Sequence, residues 1–145
     1  MRGAIREGQR EGAAPGIDKE ISRLIGQALK VNPNDGWAHL HIGYALLELK
    51  RYREALVSCD RSLAIKPDIP EALNNRGIAS LGLARYREAL ASFDRALAIR
   101  PRFAEALSNR GNALLQLARH EEALASCDRA IAIRPDYAEA LNNRG

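Results

Sequence analysis

The sequence predicts an all-α protein, a solenoid built from antiparallel helix pairs. Three observations carry this reading. First, Glu71-Ala72-Leu73-Asn74-Asn75-Arg76-Gly77 returns as Glu105-Ala106-Leu107-Ser108-Asn109-Arg110-Gly111, and again as Glu139-Ala140-Leu141-Asn142-Asn143-Arg144-Gly145. The step is 34 residues, the period of a two-helix unit that stacks on its neighbours. Second, Pro33, Pro67, Pro101 and Pro135 recur on that step, each after an apolar helical pattern. Third, the chain is rich in Ala and Leu and only 5% aromatic, which suits helix packing better than a sandwich or barrel. A stacked array offers extended faces instead of one central reaction site.

Taken in order, residues 1–16 carry charges and glycines but no apolar run. They read as a flexible leader without a secretory signal. Residues 17–35 read as a degenerate unit with only its second helix, marked by Ile21, Leu24, Ile25, Ala28, Leu29 and Val31. Full units follow at 36–69, 70–103 and 104–137, and residues 138–145 begin a truncated fourth. Within each unit the pattern breaks near Arg51-Tyr52, Arg85-Tyr86 and Arg119-His120, so each holds a helix A and a helix B. In the middle unit these are expected at about 69–83 and 87–99. Short connections make the two antiparallel neighbours. Proline lacks an amide donor and clashes with the preceding turn, so each closes a helix B. Lys66, Arg100 and Arg134 are expected in those last turns, and Glu54, Glu88, Glu122, Glu71, Glu105 and Glu139 in first turns, where each charge complements the macrodipole. The array ends on a helix B covered by a stub. That implies a piece of a longer protein, or a homo-oligomer formed through uncapped ends.

Composition excludes several functions. A formal net charge of +4 does not imply nucleic acid, and Arg51, Arg85, Arg119, Arg61, Arg95 and Arg129 each have an acidic neighbour in sequence. No nucleic acid and no membrane is expected as partner, and a cytoplasmic location is. Cys59 and Cys127 hold the same position two units apart, beyond disulfide reach, and read as reduced, buried and inert. His39 and His41 are two apart on a helix and diverge, so no metal site is expected. There is no nucleophile–base pair and no phosphate loop. The reading is of a chain with no catalytic residue, no cofactor and no enzyme activity of its own.

Gly43, Gly77 and Gly111 lie inside helix A, where glycine costs about 1 kcal/mol against alanine. Such a recurrence predicts close helix approach, with Ala55, Ala89 and Ala123 facing the glycines and Phe93, Cys59 and Cys127 beside them. Together with Pro67, Pro101 and Pro135, these residues resemble the tetratricopeptide repeat, W-x2-L-G-x2-Y then A-x3-F then P, over about 17–145. Arg76, Arg110 and Arg144 depart from the leucine usual there. An Arg–Asp ladder is expected, with Arg76 meeting Asp60 or Asp94 and Asp128 continuing the column.

The resemblance implies a right-handed superhelical solenoid whose A helices line a concave groove. It implies a protein–protein interaction scaffold that binds an extended peptide, without catalysis. The alternatives are a substrate-presenting arm of a larger enzyme such as a sugar transferase, or a self-assembly module. The groove candidates are Trp37, His41, Tyr44, Glu71, Asn75, Ile78, Glu105, Asn109, Asn112 and Asn143. The column Asn75, Asn109 and Asn143 is similar to the asparagine ladder of O-linked sugar transferases, since a primary amide both donates and accepts. It also reads as a soluble surface choice, and Glu71 and Glu105 as helix-start residues. A clamp for acidic chaperone tails needs groove cations, which are lacking here.

Overall fold

A computed structural model describes residues 19–20, 22–24, 26–27, 30, 34–136 and 141–143. The leader, Ile21, Ile25, Ala28, Leu29, Val31, Pro33, Glu139, Arg144 and Gly145 lie outside the described residues. Six complete helices alternate: α1 (Gly36–Glu48), α2 (Tyr52–Ile65), α3 (Pro70–Gly82), α4 (Tyr86–Ile99), α5 (Ala104–Gln116) and α6 (His120–Ile133). α3 and α4 fall within a residue of the bounds expected for the middle unit. Among the described residues all regular structure is helical.

The helix ends follow from local chemistry. Asp35 caps α1, its carboxylate accepting from the amides of Trp37 at 2.9 Å and Ala38 at 3.3 Å. Pro70 opens α3, where its missing amide would have had no helical partner. Each A helix stops in a two-bond C-terminal turn. In the first, Arg51 N–H reaches Leu46 C=O and Lys50 N–H reaches Leu47 C=O, both at 2.9 Å. The same bonds recur from Arg85 to Ser80 and from Arg119 to Leu114. This turn places Lys50, Ala84 and Ala118 at φ of 58° to 59°, in the left-handed region. Lys66, Arg100 and Arg134 fall just beyond the last helical turn, as C-caps. The proline that follows each favours their extended backbone, φ −128° to −132°.

Helices pack in sequence order, within units and between them. Successive A helices also touch, α1 with α3 and α3 with α5, whereas successive B helices do not pack comparably. The A helices therefore line the inner side of the curve. The core is a series of small clusters. Ile42, Leu46, Ala55 and Ala79 form one, Leu73, Ala96 and Ala106 another, and Ala89, Leu90, Phe93, Ala113, Leu114 and Ala123 a third. The glycine column is where helices approach closest. The Phe93 ring lies directly on Gly77, in the space a Cβ would fill, and the Cys127 sulfur does the same at Gly111. At Gly43 a Cβ would stand 3.0 Å from the Cys59 sulfur and 3.7 Å from the Ala55 carbonyl. Phe93 and the two cysteines thus cover the glycines. The alanines behind them are fully buried, but at Gly43 and Gly111 their nearest atom is a backbone oxygen.

The Arg–Asp ladder is present on two seams among the described residues, α2 with α3 and α4 with α5, and the rung expected for Arg144 lies outside them. Arg76 Nε donates to Asp60 at 2.7 Å, and Arg110 Nε to Asp94 at 2.6 Å. Arg76 Nη1 also donates to Ser92 Oγ at 2.7 Å, so one guanidinium joins α2, α3 and α4. This corrects one detail of the charge reading. Asp60 and Asp94 serve Arg76 and Arg110, not their sequence neighbours Arg61 and Arg95. Arg51 and Arg119 are neutralised as expected, by two-pronged pairs with Glu54 and Glu122.

Candidate functional site

The inner face is the surface shared by α1, α3 and α5. On α1, Trp37 is 47% exposed, Tyr44 is 56% exposed, and His41 and Glu48 also face solvent. His39 is buried, as a packing residue. On α3, Glu71 and Ile78 are half-buried and Asn75 is 8% exposed. On α5, Glu105 is exposed while Asn109 and Asn112 are half-buried. Asn143 is half-buried beside α5.

The asparagine column is cross-tied. Asn109 Nδ2 donates to Asn74 Oδ1 at 3.2 Å. Asn143 Nδ2 donates to Ser108, at 3.0 Å to its carbonyl and 3.2 Å to its hydroxyl. Asn74 and Ser108 hold equivalent positions, so the bond repeats on the 34-residue step. Asn109 and Asn143 thus each join an A helix to the one before it, whereas Asn75 faces Leu40 at the equivalent position in sequence and makes no such tie. These two amides therefore help set the pitch of the groove floor, and the half-buried Asn112 and exposed Gln116 are the further amides of α5.

The groove edge carries a second recurrent device, between the first turn of each A helix and the end of the B helix in the same unit. Glu71 accepts from Arg100 at 2.7 Å, and Glu105 lies 3.8 Å from Arg134. At the equivalent place in the first unit Trp37 replaces the glutamate, and Lys66 Nζ sits 5.5 Å from its ring centroid. Burial pushes the Glu71 carboxyl up. The Arg100 hydrogen bond, a backbone hydrogen bond and the Arg100 charge outweigh it and hold the group below its ordinary value. Glu71 is thus more than a helix-start residue. The pairing was legible only as a 29-residue offset between opposite charges, repeated once.

No group of three or more His, Cys, Asp or Glu that could hold a metal occurs among the described residues. No described helix is long and apolar enough to cross a membrane.

Fold and groove together define a helical-repeat solenoid with a polar and aromatic inner wall. Residues 22–70 and 74–138 match the model of the tetratricopeptide repeat, and the chain belongs to that family. No curated protein matches its sequence. Among solved structures, MamA is similar with a TM-score of 0.79 at 21% identity, over 97% of this chain and 76% of MamA. The first repeat domain of Spaghetti (RPAP3), solved with the HSP90 peptide SRMEEVD, is similar at 0.73 and 24%, over 76% of this chain and 87% of that one. YrrB, described as a TPR protein with an unusual peptide-binding site, is similar at 0.76 and 25%, over 87% of this chain and 66% of YrrB.

Proposed function

We propose that this chain is a protein-interaction scaffold that holds an extended peptide along α1, α3 and α5, with no chemistry of its own. The observation that carries this is the inner wall itself. Its exposed rings, Trp37 and Tyr44, stand at one end of a run of amides that leads through Asn112 toward Asn143. Buried aromatic anchors and polar groups that pair with a backbone are what a peptide groove needs. The described peptide-binding site of YrrB supports the same reading. The test is chemical-shift mapping of the labelled chain against captured peptides. Shifts on the inner residues of α1, α3 and α5, weakened by Tyr44→Ala and Asn112→Ala, support it. Shifts confined to the outer faces of α2, α4 and α6 refute it.

Two finer points belong to this proposal. Leu124, 43% exposed on α6, supports a second copy covering that face, which light-scattering mass tests. The two buried free cysteines support a reducing, cytoplasmic setting, which fractionation of cells tests.

A further inference from the structure

The groove does not have one chemistry along its length. Where α1 presents Trp37, Tyr44 and Glu48, the equivalent residues of α3 are Glu71, Ile78 and Gly82, and those of α5 are Glu105, Asn112 and Gln116. An exposed ring one helical turn from a carboxylate, Tyr44 with Glu48, occurs at these positions only on α1. The Tyr44 hydroxyl donates to Glu48, and the charge of Glu105 reaches it from α5. Tyr44 is held above the ordinary phenol value, first by the charge of Glu48, then by that hydrogen bond, then by burial and by Glu105. Glu48 and Glu105 thus put negative charge around the Tyr44 hydroxyl. No lysine or arginine occupies any of these groove positions. Of the three carboxylates, Glu71 is closely paired with Arg100, whereas Glu105 is held loosely at 3.8 Å.

Resting on the peptide-groove reading, we infer that Tyr44 and Glu48, one helical turn apart, form a subsite for a cationic side chain of the bound peptide, arginine before lysine. A guanidinium is planar. It stacks on an exposed ring and still reaches a carboxylate with two N–H groups, which an ammonium does not. Charge complementarity then sets direction and register, with the basic residue at the α1 end and the peptide backbone running across α3 toward Asn112 and Gln116 of α5. Acidic segments are disfavoured by the same carboxylates.

The test uses three labelled peptides read by anisotropy and by shifts on α1. One is a neutral Ala/Ser/Leu heptamer with one central arginine. The second carries citrulline there, of the same shape without the charge. The third carries glutamate there. The arginine peptide should bind about tenfold more tightly than the citrulline peptide, an advantage that shrinks with salt. Glu48→Gln should bring the two close to equal. Tyr44→Phe, which keeps the ring and frees Glu48, should preserve the preference. Equal affinities in the starting protein, a preference untouched by Glu48→Gln, or tighter binding of the glutamate peptide would overturn the subsite while leaving the groove standing. Absence of inner-face shifts with every peptide would remove the groove reading and the subsite together.

Discussion

A methyl group on Gly77 has no room, because the Phe93 ring already fills its place. Gly77→Ala should cost about 1–3 kcal/mol in urea unfolding, as small-to-large core changes do. Gly43→Ala should cost less, since the atom it meets is one sulfur at 3.0 Å. Phe93→Leu combined with Gly77→Ala should recover part of the loss, because the two share one space. Sequence made the glycine legible through its recurrence. It put Phe93 beside the glycine and Ala89 opposite, and did not show that the ring fills the space, since a period fixes register and not rotamers. Cys59, on that same contact, gives a pH signature. Burial pushes its thiol up to about 12, the charge of Asp60 adds, and Arg76 opposes. A raised folded value means that stability from the neutral thiol is fully present below the unfolded value. It is lost as pH climbs toward 12. In a Cys127→Ala variant, thiolate absorbance at pH 10 should be absent from the native protein and present in urea. Thiolate in the native sample would contradict the burial.

At the scale of the element, the informative feature is the turn that joins each A helix to its B helix. Its bonding pattern demands a left-handed residue, yet Lys50, Ala84 and Ala118 occupy that place. A side chain there is strained by about 1–2 kcal/mol, against a smaller entropic cost for glycine in the unfolded chain. Ala84→Gly and Ala118→Gly should each stabilise by about 0.5–1 kcal/mol, visible as a higher urea midpoint with an unchanged slope. The break near Arg85-Tyr86 was readable because the apolar period stops there. The strained residue was not, since glycine, its usual signal, is missing. Arg76 also acts between elements, joining α2, α3 and α4 through Asp60 and Ser92. A double-mutant cycle of Arg76→Ala and Asp60→Ala should give a coupling of about 1 kcal/mol. That sits at the upper end for a pair whose carboxylate is exposed. No coupling would mean that the guanidinium is held by Ser92 alone.

Across the whole molecule the repeat makes fold and groove legible to different depths. Helix order and the inner stripe follow from the 34-residue step, because every unit obeys it. The ties of Asn109 to Asn74 and of Asn143 to Ser108 were not readable, because they depend on the distance between A helices of successive units. The same chain of neighbour contacts governs cooperativity. The core is a row of small clusters, and each helix packs on its near neighbours only. Stability in such an array is a sum of unit and interface terms, so damage spreads by contact and fades with distance. Gly111→Ala forces the Cys127 sulfur aside between α5 and α6. Native-state hydrogen exchange should then show protection falling most in α5 and α6. The drop should be partial in α3 and α4 and absent in α1 and α2. Gly77→Ala strikes the middle unit, which is flanked on both sides, and should lower protection in all six helices. An equal drop at every amide in both variants would instead show one all-or-none unit, and the additive description of the array would have to be abandoned.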